Sequence, residues 1–378
     1  MWRLAIKAMF GDRGKFLTSL AGVSFSVVLV NMQAGLLQGF LMKTSLLIDQ
    51  GQADIWVGHR HMNNVDMNSF IPDRWLDRIR GLEGVERADA YLIVNAEVKM
   101  PDGRFELVLL LGCEPGSPLG NAWSMVGTLD PAAVLRSPDG VIIDRHDVAR
   151  LGDCRIGDVR EINGRRACIV GMTERIVGFT GAPYVFTTLE RARNRFTNAV
   201  PAKHCSFFLV KAQPSTNLPA LCAEIRKKVP EVSVHDRDSW SRQTMMHWLT
   251  KTGMGISFGL TIFLGLLVGL AVVAQTLYAT VNERVKEFAT LKALGVNDRG
   301  VLRFLFAQAL GIALGGSTVG LVAIQIMARL MSSAEAPVVL SVWASVLSVA
   351  LITLICLIAG WLPFVRICRI DPASVLRG

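Results

Sequence analysis

The chain has 378 residues, 51% hydrophobic and only 19% charged, with a mean hydropathy of +0.39 and a formal net charge of +9. That balance is too apolar for an ordinary soluble enzyme and fits a polytopic membrane protein. The net positive charge does not point to nucleic acid, because the basic residues cluster at the margins of long apolar stretches.

Residues 1–15 alternate apolar and basic positions at helical spacing, with Trp2 and Phe10 among Arg3, Lys7, Arg13 and Lys15. They predict a short interfacial helix, its cations toward phospholipid headgroups. A charge-free run follows between Lys15 and Lys43, and three more lie between Lys251 and Glu283, Arg303 and Arg329, and Glu335 and Arg366. Each is roughly 25 to 30 residues long, and about 20 suffice to cross the hydrocarbon core. The first run far exceeds the roughly 7 to 15 residues of a signal-peptide core, so it is expected to be an uncleaved helix.

Positive charge marks the cytoplasmic side. Arg3, Lys7, Arg13 and Lys15 precede the first run, Arg284, Lys286, Lys292, Arg299 and Arg303 separate the second from the third, and Arg366, Arg369 and Arg377 follow the fourth. Both termini are therefore expected inside. The resulting fold class is an α-helical membrane protein with four transmembrane helices (1+3) and a large external α+β domain between helices 1 and 2.

The expected boundaries are a cytoplasmic amphipathic segment (1–15), helix 1 (16–42), the external domain (43–250), helix 2 (251–281), a cytoplasmic segment (282–302), helix 3 (303–330), a short external hairpin (331–339), helix 4 (340–365) and a cytoplasmic tail (366–378).

Within the external domain, Pro72–Arg80 predicts a helix and Ala90–Val94 a strand; Leu218–Arg226 and Glu231–Val234 repeat that order, suggesting two related helix–strand units closing one α+β subdomain. Between them the pattern is mostly β. Pro101-Asp-Gly103 marks a hairpin turn, and short strands are expected at Val141–Asp144, Val159–Ile162, Ala167–Val170, Tyr184–Thr187 and Ser206–Val210. Trp56, Phe70 and Trp75 fit either a domain core or a surface for lipid-like cargo. Cys113, Cys154, Cys168, Cys205 and Cys222 fall in this domain, with Cys356 and Cys368 in or near the last helix. An odd count without a zinc spacing allows a disulfide but specifies none, and favours buried free thiols.

The spans carry glycines four apart: Gly35 and Gly39 in the first, Gly255 and Gly259 then Gly265 and Gly269 in the second, Gly311 and Gly315 then Gly316 and Gly320 in the third. Such pairs share a helix face and let backbones approach closely, so Gly311, Gly315, Gly316 and Gly320 are the expected packing residues. No ionisable residue sits well inside a span, which argues against proton relays and ion-coupled carriers.

The segment between helices 2 and 3 reads Glu283-Arg-Val-Lys-Glu-Phe-Ala-Thr-Leu-Lys-Ala-Leu-Gly295. Phe288, Leu291 and Leu294 form an apolar stripe at a three-residue step beside Glu283, Arg284, Lys286 and Glu287, and Gly295 with Asn297 reads as a stop. Such a helix either floats on the membrane or docks its stripe into a cytoplasmic partner. This segment resembles the coupling segment of MacB/FtsX/LolC-type ABC transporter permeases. The tail Arg369-Ile-Asp-Pro-Ala-Ser-Val-Leu-Arg377, the piece from Gly140 to Gly152 with Gly157-Asp158, and the 1+3 layout are similar to the same group. Asp54-Ile-Trp-Val57 and Pro183-Tyr-Val-Phe-Thr187 are similar to the DevC branch.

The resemblance implies an inner-membrane permease homodimer with a periplasmic domain, working with a separate ABC ATPase subunit that holds ATP and Mg. It also implies a periplasmic membrane-fusion adaptor, an outer-membrane channel and contacts with membrane lipids, but no nucleic acid. It places Glu283, Arg284, Glu287, Leu291, Lys292 and Gly295 in the coupling motif; the stripe itself nominates Phe288, Leu291 and Leu294 for the apolar contact. By the same resemblance, FtsX-like activation of a periplasmic cell-wall hydrolase and LolC-like lipoprotein extraction are the alternatives to export.

No phosphate-binding Gly-x-x-x-x-Gly-Lys-Ser/Thr occurs, so ATP is expected to be handled in trans and the chain to be non-catalytic, with no cofactor of its own. His59 and His61 lack a third metal ligand, and Asp144, His146 and Asp147 read as solvated turn residues after a strand.

Overall fold

The computed structural model describes residues 13–67, 69–128, 130–283, 285, 290, 297–333 and 335–368. In chain order it runs from helix α1 (Arg13–Thr44) through β1 (Ile55–His59), β2 (Ile71–Pro72), α2 (Leu76–Arg80), β3 (Val85–Lys99), β4 (Phe105–Cys113), β5 (Gly140–Asp144), β6 (Val159–Ile162), β7 (Arg165–Thr173), β8 (Tyr184–Thr188), β9 (His204–Cys205) and β10 (Phe207–Ala212). It continues with α3 (Leu218–Lys228), β11 (Val232–Asp236), α4 (Arg237–Lys251), α5 (Met254–Glu283), α6 (Asp298–Met331) and α7 (Val342–Ala359). The residues fall into two compact units, one of residues 1–39 with 255–378 and one of residues 40–254.

The first unit is helical. Four helices are long and apolar enough to cross a membrane: Arg13–Thr44, Met254–Glu283, Arg299–Met331 and Val342–Val365. Away from its ends, every backbone group of a spanning helix is bonded within the helix, which is what hydrocarbon requires. Their shared core is small: Val23 and Val27 of α1, Val273 and Leu277 of α5, Ala309, Ile312 and Ala313 of α6, and Ile352 and Cys356 of α7.

The second unit is α+β, and its sheet has nine strands in the order β11-β1-β10-β3-β4-β8-β5-β7-β6. The first four strands are all antiparallel and, with α2 and α3, form β1–α2–β3 and β10–α3–β11, a ferredoxin-like split β-α-β arrangement. The two related helix–strand units of the sequence are these two halves. Everything from β4 to β9 is inserted between them.

The insertion is built on β3, which changes partners midway. Val85–Tyr91 pairs with β10, whereas Leu92–Lys99 pairs with β4. Val98 and Lys99 also pair with Ile162 and Glu161 of β6, so β3-β4-β8-β5-β7-β6 closes on itself as a small barrel. Closure pairs the edge of β6 with β3, while β11 stays at the open end of the sheet.

Alternation along the strands separates two cores. On β1, Ile55 and Val57 join a core that continues under α2 and α3 and into the barrel. Trp56 joins the opposite core with Tyr91, Phe207, Leu209 and Trp240, where α4 covers the sheet. Trp56 is fully buried and is a core residue, whereas Phe70 and Trp75 are half-buried and pack against the edge of the first core.

Candidate functional site

Helix packing in the membrane unit centres on α1. A Cβ added at Gly316 would lie 2.5 Å from Val23 Cγ1, one at Gly320 2.7 Å from Val27 Cβ, and one at Gly315 3.0 Å from Leu20 Cδ1. These three expected packing glycines therefore face α1; Gly311 is half-buried on the same helix. On α5 the corresponding approaches are Gly265 to Leu29 (2.3 Å to Cδ2) and Gly269 to Ser26 (2.7 Å to Oγ), and Gly22 of α1 meets Val272 in return (2.4 Å to Cγ1). Gly259 has nothing within 4 Å, so a glycine spacing on its own did not locate the seam.

Gly35 and Gly39 differ from the others: they receive the loop between α6 and α7 rather than a helix. Val339 N–H donates to the Gly35 carbonyl at 3.1 Å, and the space of a Gly39 side chain is filled by Pro337.

Two polar contacts reinforce α1. Ser24 Oγ donates to the Gly316 carbonyl at 2.9 Å, and Asn31 Nδ2 donates to Ser348 Oγ of α7 at 2.8 Å. Asn31 also donates to the Val27 carbonyl at 2.8 Å, and Ser348 donates onward to Ser345 at 2.8 Å. In hydrocarbon such bonds and close van der Waals contacts stand in for the absent hydrophobic drive.

The coupling motif begins at the end of α5. Glu283 forms an ion pair with Lys15 of α1, which attaches the start of the segment to the first helix. Arg284, Glu287, Phe288, Leu291, Lys292, Leu294 and Gly295 lie outside the described residues, as do residues 1–12 and 369–378. The flanks are described, and they meet. Val281 on one side and Val301 and Leu305 on the other form an apolar cluster with Phe304 and Phe364. The two described flanks of the segment are thus packed together.

In the second unit, Asp144 and Asp147 correct the reading of solvated turn residues, because both are buried. Asp144 Oδ2 accepts from Thr173 Oγ1 and the Ile176 N–H, both at 2.8 Å, and Oδ1 accepts from the His146 N–H at 2.8 Å. It is a structural hub tying β5 to β7 and the loop beyond it. Asp147 Oδ2 has no such partner while Oδ1 lies 3.9 Å from Arg150 Nη1, and burial, aided by the Asp144 charge and only partly offset by Arg150, pushes its carboxyl up to about 6.

Cys113, Cys154, Cys168, Cys205, Cys222 and Cys356 are free thiols, and burial raises Cys113 to about 12, away from reactivity. No group of three metal-ligating side chains occurs among the described residues. A cleft of this unit, about 730 Å³, is lined by Asp73, Asp77 and Glu114 and by Arg74, Arg80 and Lys203, so it favours neither sign of ligand.

Residues 16–228 match the MacB-like periplasmic core domain and residues 259–372 the FtsX-like permease C-terminal domain. The chain belongs to the MacB/FtsX family of ABC transporter permeases. It is 24% identical to the uncharacterised ABC transporter permease Rv0072 of Mycobacterium tuberculosis over 358 residues, 94% of this chain and 93% of that one. It is 29% identical over 127 residues to the macrolide export ATP-binding/permease protein MacB of Nitrosomonas europaea, which is 34% of this chain and 19% of that protein. The periplasmic region of MacB from Actinobacillus actinomycetemcomitans aligns with a TM-score of 0.40 at 9% identity, over 51% of this chain and 92% of that structure.

Family membership makes this a multi-pass membrane protein with an external domain and an ATPase as the implied partner. Ser348, Asn31 and the Asp66–Trp248 pair considered below were not among the residues singled out from sequence. A lone Asn in an apolar span was the available signal for the first pair.

Proposed function

We propose that the chain is the non-catalytic permease subunit of an ABC exporter, working as a homodimer in the inner membrane with both termini cytoplasmic. A separate ATPase, which binds ATP and Mg, docks against Phe288, Leu291 and Leu294. The charged residues Arg284, Glu287 and Lys292 orient it, and Gly295 ends the docking helix. Nucleotide-driven closure of the ATPases then moves the segment, and the helices relay that movement to the external domain by mechanotransmission. A periplasmic membrane-fusion adaptor and an outer-membrane channel complete the path.

The observation that carries this reading is the packed root of the coupling segment. With Val281, Val301 and Leu305 in one cluster and Glu283 tied to Lys15, a push on the segment is delivered to α1, α5 and α6 together rather than absorbed by a slack loop. The test is Leu291→Glu or Leu294→Glu in cells. Membrane levels are expected to be unchanged, while ATPase association and transport are lost; normal transport at normal complex levels would refute docking. Mild-detergent purification with mass spectrometry identifies the pathway. An ATPase with an adaptor supports export, and an ATPase with a cell-wall hydrolase or a lipoprotein carrier would replace export with signalling or lipoprotein extraction.

A further inference from the structure

Helix α4 turns a stripe of unpaired polar atoms into the external domain. Trp240, Thr244 and Trp248 are spaced four apart and so share one helix face. The indole N–H groups of Trp240 and Trp248 and the hydroxyl of Thr244 are buried without a hydrogen-bond partner among the described residues. The loop between β1 and β2 adds two more such groups, Asn64 Nδ2 and Asp66 Oδ2. Buried polar atoms are normally paired, so several on facing elements need a physical account.

Asp66 and Trp248 face each other. The Trp248 indole N–H approaches the Asp66 carboxyl and favours its charged form, without closing a hydrogen bond. Phe179 packs against the Trp248 ring, with ring centroids 4.4 Å apart. Burial outweighs the indole and pushes the Asp66 carboxyl up to about 6. Among the described residues, no cation is among the influences that offset this. Tyr184 on β8 feels the Asp66 charge but is buried and held neutral, its hydroxyl pushed upward. On α4, His247 sits edge-on to the Trp248 ring at 6.4 Å, and Arg242 and Lys251 lie on the same helix; His59 and His61 stand at the start of the Asp66 loop, 5.8 Å apart. None of these is among the influences acting on the carboxyl.

Trp248 also sits close to the membrane along the chain. Helix α4 ends at Lys251, Gly253 breaks the helix in a left-handed conformation (φ +78°), and the spanning helix α5 begins at Met254.

We propose that Asp66 and Trp248 form a proton-operated latch: with Asp66 protonated the β1–β2 loop holds the last turns of α4, and with Asp66 ionised it releases them. A neutral carboxyl is tolerated in this pocket. A carboxylate with an unpartnered oxygen is not, and gains by opening to water. The latch stands independently of the transport reading; only its effect on the coupling of α5 to the external domain rests on that reading.

The test is hydrogen–deuterium exchange of peptides covering residues 244–252 in the full-length protein in nanodiscs, from pH 5 to 8, corrected for intrinsic exchange. Wild type is expected to exchange on the order of tenfold faster at pH 7 than at pH 5, with a transition near pH 6. Asp66→Asn, a permanent neutral, is expected to stay protected across the range. Trp248→Phe keeps the ring but removes the N–H that favours the carboxylate, so its transition is expected to move to higher pH. A wild-type profile without a transition, a transition that persists in Asp66→Asn, or an unmoved transition in Trp248→Phe would each overturn the latch. These readouts need no ATPase, so failure to recover an ATPase partner would leave the latch standing, and a flat exchange profile would leave the export reading standing.

Discussion

The two units solve the packing problem in opposite ways. The external domain fills its cores with large side chains: Trp56, Tyr91, Phe207 and Trp240 are all fully or nearly fully buried, and Trp56 meets Phe207 and Tyr91 edge-to-face at 5.4 and 6.0 Å. The membrane unit takes side chains away, so that Gly22, Gly265, Gly269, Gly316 and Gly320 let neighbouring helices approach within the space of a Cβ. The difference is one of solvent. Water rewards each buried apolar area, on the order of 25 cal/mol per Å², whereas lipid is as apolar as leucine and rewards only closer contact. The same composition of apolar residues therefore carries different information on either side of the membrane surface.

The sharpest way to break this contrast is to empty the external core. Trp56→Ala is expected to cost roughly 3–5 kcal/mol by leaving a cavity among aromatic rings, read as a large fall in the melting temperature of the detergent-solubilised protein. In the bundle the opposite change does the damage. Gly316→Ala places a methyl against Val23, whose β-branched side chain has one preferred helical rotamer and cannot step aside, so a cost of about 1–3 kcal/mol is expected. Gly259→Ala, which meets nothing within 4 Å, is the control and should change stability by less than about 0.5 kcal/mol.

Asp147 probes a third situation, a charge inside the watery unit. Its carboxyl is raised from 3.8 to about 6 in the folded protein, so as pH climbs through that window the unfolded chain ionises first and stability falls. Asp147→Asn removes that penalty. The variant is expected to be more stable than wild type by roughly 1–2 kcal/mol at pH 7.5, with the advantage vanishing near pH 4. Equal melting temperatures at both pH values would show that the site relaxes around the charge.

The smallest effect is expected for Asn31→Ala. Its bond to Ser348 is lost, but Ser348 still donates to Ser345, so no donor is stranded. A loss of about 0.6 kcal/mol, with the bundle intact in a crosslinking assay between α1 and α7, is the predicted outcome.

Local pattern made much of the molecule legible. The charge-free runs announced the four apolar helices because an ionised group in hydrocarbon costs too much to be scattered at random. The two helix–strand units at Pro72–Val94 and Leu218–Val234 announced the ferredoxin-like halves, since each combines a period-3.6 segment with a period-2 segment. Helix α4 was passed over although it carried a signal, an N-cap in which the Asp236 side chain accepts from Ser239 N–H, followed by Trp240, Thr244 and Trp248 at four-residue steps. For the coupling segment, sequence and resemblance alone name Phe288, Leu291 and Leu294, and the structure contributes the packed flanks around them.

By itself, the amino-acid sequence determined where the membrane helices lie, that a mixed α+β domain separates the first from the rest, and which family of permeases the chain resembles. These properties depend on hydrophobicity, period and short motifs, all written in neighbouring residues. Only the tertiary structure decided which glycines touch a partner helix, that β3 leaves one sheet to close a barrel with β6, that Asp144 and Asp147 are buried, and that Asp66 meets Trp248. Each of those depends on residues far apart in the chain, and burial and pairing between distant residues follow from the packed whole rather than from any local period.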